Sequence, residues 1–240
     1  MAVILCISDT QEPFAHQDAL AFCKHVIQPY IDNGHKIIVV HQGDEVDQHT
    51  LGKWPSNPNG LSARAELEEA RHRLSYWFDA FPEVFVCESN HTYRAWKKAS
   101  EAGIPSEFMK SVAEVYGAPP GWQWKDRWII ENVMFEHGEG VSGINAARNA
   151  AVQNRMNTSI GHQHSNAGIQ YATGVMDQIW GMNTGCLIDI DAYAFMYGKV
   201  FRNKPTLGCG IIINGVPVFV PMILGHNKRW VGRVYYGPEK

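Results

Sequence analysis

Three short apolar runs, Ala2–Ser8, Lys36–His41 and Glu83–Glu88, constrain the fold of this chain more than any other feature. Each is nearly continuous and rich in Val or Ile, the pattern of a strand covered on both faces. Two stretches of helical spacing separate them. Gln17–Ile31 places Leu20, Phe22, Cys23, Val26, Ile27 and Tyr30 on a helical repeat, and Gly34 lies just beyond it. Ser62–Phe81 reads as a long helix with a charged outer face. The order strand, helix, strand, helix, strand implies parallel pairing through right-handed crossovers.

The pattern then changes. Arg94–Tyr116 predicts a helix, Trp122–Phe135 an aromatic-rich strand region, Val141–Met156 a helix and Thr158–Ile160 a short strand. From Gln178 onward the chain reads mostly as strands, and Asn214-Gly215 between two apolar runs predicts a hairpin across Gly210–Leu224. Lys53–Gly60, with two prolines and two asparagines, is loop. The chain reads as one α/β domain over residues 1–240, with 45% hydrophobic residues. That length buries a full core without disulfides. The five cysteines are scattered and form no C-x-x-C pair, which fits a reducing, cytoplasmic setting. The formal charge of −3 argues against a broad basic nucleic-acid footprint, and no run is long enough to cross a bilayer.

Chemistry concentrates just after the predicted strands, where ligands bind in open α/β sheets. Asp9 and Gln11 follow the first, Gly43-Asp44-Glu45-Val46-Asp47 the second, and Ser89-Asn90-His91 the third. Further on stand His137-Gly138 and Gly161-His162-Gln163-His164. Each alone has an ordinary reading, such as a helix cap, a turn or a satisfied core histidine. His162 and His164, two apart, would share one side of a strand.

The ordered set Asp…Gly-Asp-x-x-Asp…Asn-His…His-Gly…Gly-His-x-His resembles the calcineurin-like metallophosphoesterase family, and in detail its phage and prophage members. The resemblance spans Asp9 to His164, and Asn183-Thr184-Gly185 resembles a stretch that often follows. It implies a four-layer α/β/β/α sandwich of mixed sheets with flanking helices, the β-rich tail supplying its second sheet. It also implies two divalent metal ions, Mn first and Fe, Zn or Ni next. Asp9, Gln11, Asp44 and His164 would hold one ion, and Asp44, Asn90, His137 and His162 the other, around a bridging hydroxide that attacks phosphorus. His91 would act as general acid over the substrate, and Asp47 would orient a ligand by hydrogen bond. Gln11 stands where the family usually has histidine, and Ser89 and Thr92 replace a usual Gly and acid.

The implied activity is hydrolysis of phosphate esters, as a phosphomonoesterase or phosphodiesterase, with a nucleotide or a nucleic-acid end among the candidate substrates. A nuclease-type phosphodiesterase is the alternative. A non-catalytic interaction protein on the same fold is a further one, which metal content separates from an enzyme. Arg94 could clamp the phosphate but reads first as the partner of a nearby acid, Glu45 and Glu139 read as neighbours of ligands, and Trp122, Trp124 and Trp128 as packing. His16, His25, His35, His41, His49, His72 and His226 read as structural or exposed.

Overall fold

The computed structural model describes residues 2–53, 57–192, 194–195 and 202–234. The three apolar runs form β1 (Ala2–Ile7), β2 (Lys36–His41) and β3 (Val84–Cys87), linked by α1 (Ala19–Asp32) and α2 (Ala63–Ala80). Ser62 caps α2 by accepting the Ala65 N–H. Next come α3 (Arg94–Glu101) and α4 (Val112–Tyr116), then β4 (Trp122–Lys125), β5 (Arg127–Ile130) and β6 (Val133–Glu136). After these follow α5 (Ala146–Asn154), β7 (Thr158–Ile160), β8 (Gly168–Thr173) and β9 (Gln178–Asn183). The hairpin β10 (Gly208–Ile213) and β11 (Val216–Pro221) comes last.

These strands make two mixed sheets, ordered β11-β10-β1-β2-β3-β4 and β5-β6-β7-β9-β8. β1 through β4 are parallel, as the crossover rule requires, while β10 and β11 extend the same sheet antiparallel from β1. Alternation along β1 explains its unbroken apolar sequence. Val3, Leu5 and Ile7 pack with Phe22 and Val26 of α1 and with Leu74 and Trp77 of α2. Ile4 and Cys6 turn the other way and share a cluster with Phe135, Trp180 and Met182 of the second sheet. Each such aliphatic chain contributes ~1.5–3 kcal/mol by burial. On the second sheet, Ala146, Ala147 and Ala150 of α5 pack with Ile160 in a cluster of their own.

Three readings of the sequence are corrected, and a fourth, the strand region Trp122–Phe135, is borne out and refined. The helix expected over 94–116 is broken in two, because Gly103 in the left-handed region and Pro105 interrupt it. The expected helix from Val141 begins only at Ala146, after Gly143 at φ 79°. Trp122–Phe135 is three strands divided between the sheets, β4 pairing with β3 and β5 with β6. The tail does not build the second sheet alone. β9 joins that sheet, but the Asn214-Gly215 hairpin adds to the first, with both turn residues at positive φ. β8 was not apparent in the sequence. All five cysteines are free and buried. The Lys53–Gly60 loop falls partly outside the described residues. Among the described residues, no helix is long and apolar enough to cross a membrane.

His41 ends β2 at 2% exposure, with Nε2 3.1 Å from Thr10 Oγ1. Burial pushes its pKa down to about 4 from 6.5. The unfolded chain therefore binds the proton more tightly than the folded one. The stability held by neutral His41 is complete above ~6.5 and is lost as pH falls toward ~4. In metal-free protein, urea unfolding at pH 7.5 and at pH 5 should show the wild type losing about 2 kcal/mol more than His41→Gln between the two. Parallel losses in the two proteins would show that folding leaves the proton affinity of His41 unchanged.

Candidate metal centre

The candidate residues sit in the loops that follow β1, β2, β3, β6 and β7. Four of them hold a backbone conformation that side-chain-bearing residues rarely adopt. Asp9, Gln11, Asp44 and His162 have φ of 51°, 49°, 54° and 64°. Left-handed residues other than glycine cost of order 1–3 kcal/mol each and persist only where surrounding structure dictates them. Main-chain bonds dictate them here: Asp9 N–H to Gly43 O at 3.1 Å, Gln11 N–H to Asp44 O at 2.8 Å and Leu187 N–H to Asp9 O at 3.0 Å.

One group of donor atoms is compact. His137 Nδ1 lies 2.7 Å from Gln42 O and donates to it, which leaves Nε2 with its lone pair turned inward. Facing Nε2 are Asn90 Oδ1 at 3.0 Å, His162 Nδ1 at 3.1 Å and Asp44 Oδ2 at 3.3 Å. The ligand atoms of Asp44, His137 and His162 all lie within 4.8 Å of one another. Acceptors turned toward one another in a buried place repel unless positive charge lies among them. A proton can supply it: burial lowers the His137 pKa, but the Asp44 carboxylate outweighs burial and lifts it to about 10. Burial also favours the neutral form of Asp44, yet His137 and His91 hold its carboxyl well below the usual range. His162, buried and beside His137, is pushed down. A divalent cation fits the same place.

The second group is looser. Asp9 Oδ1 pairs with His164 Nε2 at 2.9 Å, and Asp9 Oδ2 accepts from Ser8 Oγ and from the His162 N–H. Burial works to raise Asp9, but His164 beside it keeps the carboxyl low, and Asp9 in turn lifts His164 against the effect of burial. Gln11 is fully buried, with Nε2 3.4 Å from Asp44 Oδ2 and with Oε1 lacking any hydrogen-bond partner among the described residues. A buried, unsatisfied amide oxygen costs ~1–3 kcal/mol unless something positive meets it. Asp44 belongs to both groups. Its Oδ1 accepts the His91 N–H at 3.0 Å while Oδ2 faces His137 and Gln11.

His91 stands apart from the ligands. Its Nδ1 lies 2.5 Å from Asp47 Oδ1, and its Nε2 lies 2.7 Å from Arg94 Nη2 and 3.9 Å from Asp44 Oδ2. This corrects the role expected of Asp47, which orients His91 rather than a ligand. Arg94 Nη1 donates to Asp47 O and Gln48 O, so its reading as the partner of an acid holds. His49, read as structural or exposed, stands 3.8 Å from Asp47 at the rim. One local geometry also differs from expectation. Asn90 and His91 lie in a turn after β3, and His162 and His164 lie in a loop past β7 rather than on a strand. His162 and His164 reach the site through the left-handed turn at His162, not through strand alternation.

Several supports escaped the sequence reading. Ser89 Oγ accepts the Asp44 N–H at 2.7 Å and donates to Thr92 Oγ1, which in turn bonds Glu45. The two departures beside Asn90-His91 therefore form one hydrogen-bonded unit. Glu45 is buried and also accepts from Trp124 Nε1. Asn183 Nδ2 donates to Gln163 O and Asn166 O and so fixes the loop that carries His162 and His164. Ser89 and Thr92 give as sequence signal only a hydroxyl flanking Asn90-His91, and Asn183 an amide two residues before Gly185. Trp122, Trp124 and Trp128 each spend their indole N–H inside the fold, as packing residues do.

No family model matches the sequence, and no curated protein does. Among solved structures, the chain is similar to hypothetical protein PH1004 from Pyrococcus horikoshii OT3. That likeness has a TM-score of 0.45 and 10% identity, and it covers 89% of this chain and 84% of that one.

Gly161 sets how closely the two halves of the site approach. A Cβ there would lie 1.7 Å from Ser8 Oγ and 2.6 Å from Asp9 Oδ2. Gly161→Ala must push the His162–His164 loop off Asp9. It should retain a folded circular dichroism spectrum and lose about tenfold or more in Mn affinity by calorimetric titration. Unchanged affinity would mean that this close approach does not set ligand geometry.

Proposed function

We propose that this chain is a calcineurin-like metallophosphoesterase, a two-metal hydrolase of phosphate esters on the four-layer α/β/β/α sandwich of that family. One observation carries the reading: Asp44, Asn90, His137 and His162 turn their acceptor atoms toward one another at the carboxyl ends of the strands. Two mixed sheets that share a core, with helices packed on them, support it. Asp44, Asn90, His137 and His162 would hold one ion, and Asp9, Gln11, Asp44 and His164 the other. The donors are all oxygen and imidazole, without thiolate. This suits Mn first, and Fe, Zn or Ni as well. Bound divalent ions supply Lewis acidity to a phosphoryl group and lower the pKa of water.

The chain's own contribution to bond cleavage centres on His91. Asp47 accepts from Nδ1 and fixes the ring, so Nε2 is the working nitrogen. Nε2 sits at the edge of the metal group and accepts from Arg94 Nη2. A phosphate oxygen that takes over this Arg94 N–H frees the Nε2 lone pair, which binds a proton from water and then passes it to the leaving oxygen. Arg94 stays anchored meanwhile through Nη1 to Asp47 O and Gln48 O. Proton delivery of this kind is worth ~10²–10⁴ in rate.

Two measurements test the proposal. Elemental analysis of protein reconstituted with Mn should approach two ions per chain, EDTA should abolish turnover, and Asp44→Ala should lose metal and all activity. A ceiling of one ion, or hydrolysis that survives chelation, would remove the two-metal reading. His91→Ala should keep its metal and lose ~10²-fold or more on alkyl phosphate esters, but less on nitrophenyl esters, whose leaving group needs little protonation. Equal losses on both ester types would withdraw the acid role from His91.

A further inference from the structure

Two open clefts meet at the candidate metal centre, and the residues lining both are His91 and His162. One encloses about 690 Å³ and runs along α3, past Asn90, Arg94, Lys97 and Lys98. Lys97 and Lys98 lie three and four positions after Arg94, on the same side of the helix, and both are exposed. Glu88, Glu101, Asp126 and Glu139 also border this cleft, so its charges of both signs balance locally. The cleft is polar and rich in hydrogen-bonding groups, without the one-signed field that a long polyanion selects. The other encloses about 490 Å³ and has a different lining, in which the apolar Ile188, Ile190, Phe195 and Pro205 stand beside Asp191, Asn203 and Lys204. Each volume falls in the range that holds a small organic group.

A phosphomonoester has one substituent and occupies one cleft. Its dianion also asks for more cationic groups beside the phosphorus than a diester does, and Arg94, with Nη1 bonded to Asp47 O and Gln48 O, offers its Nη2 edge only. A phosphodiester has two substituents and a single negative charge. Resting on the function proposed above, we infer that the substrate is a small phosphodiester. Its hydroxyl-rich substituent lies along α3, and its flatter, apolar-faced substituent lies against Ile188, Ile190 and Phe195. A short nucleotide diester has this chemistry, while a duplex, which needs a continuous basic track, does not match the mixed charge along α3.

The test compares thymidine 5′-(4-nitrophenyl) phosphate with 4-nitrophenyl phosphate on the full chain reconstituted with Mn. The two share a leaving group, so their difference reads the second substituent. The diester should be favoured about tenfold or more in kcat/KM. Lys97→Glu and Ile190→Glu should each cost the diester about fivefold more than the monoester. A second readout needs no turnover. In the metal-free chain, thymidylyl-thymidine should shift the backbone amides of both Lys97–Lys98 and Ile188–Ile190, whereas thymidine 5′-phosphate should shift those of one cleft. Preference for the monoester, equal losses in the variants, or dinucleotide shifts confined to one cleft overturn the inference and leave the phosphoesterase standing. Failure to hydrolyse either ester overturns both.

Discussion

Everything at the centre depends on holding like-natured acceptor atoms face to face at the foot of two clefts, where the carboxylates themselves are buried. Asp9 and Asp44 are 0% and 1% exposed, and His137 is 2% exposed. Unpaired carboxylates at such depth are expensive, so each must be matched by positive charge or by donors. Donors cover part of the need: the His91 and His162 main-chain N–H groups and Ser8 Oγ each take a carboxylate oxygen. The remainder faces inward and is met by protons on imidazole or by a cation. Left-handed main chain at four of these residues is the geometric cost of that arrangement, and interlocked main-chain bonds hold it in place.

The two sheets contribute unequally to this arrangement. The first supplies the carboxylates and the Asn90-His91 turn, and the second supplies His137, His162 and His164. Gln42 ties them together. Its main-chain oxygen accepts from His137, its Nε2 donates to Ser159 Oγ of β7, and its Oε1 accepts from Thr184. The same residue follows β2 directly, two positions before Asp44. Ligand spacing across the sheet interface is thus set by one buried amide and by packing between Ile4, Cys6, Phe135 and Met182. Rearrangement in that core would be felt at the candidate metal ligands before it was felt at the surface.

Much of this was legible in the sequence where local pattern and tertiary environment agree. β1, β2 and β3 are apolar because both faces are covered, and Asn214-Gly215 carries its turn geometry in its own residue types. The residues expected as ligands are the ones the loops bring together, with Asp44 common to both groups. What could not be read was long-range. Trp122–Phe135 has strand composition throughout, and only pairing partners decide that β4 joins β3 while β5 joins β6. Edge strand β8 alternates weakly, and its pairing with β9 lends it order. The partner of Asp47 depended on which side of the turn His91 faces, and that is fixed by Arg94 and by the Asp44 carboxylate. Ser89 looked like a departure from a motif. In place it is the hydroxyl that receives the Asp44 N–H.

The spread of the site along the chain has a consequence for how the protein comes into being. Asp9 is fixed by Leu187 N–H and by the His162 loop, so its carboxylate reaches its final position only after chain more than 170 residues later has been made. A nascent polypeptide emerging from a ribosome carries β1, β2 and β3 long before β7 and β9 exist to close over them. During that interval Asp9 and Asp44 lack their second-sheet imidazoles and remain ordinary hydrated carboxylates, with little to select one divalent ion over another. A metal held as proposed would be discriminated from other cations only once the second sheet has docked, which would make metal choice a property of the finished chain.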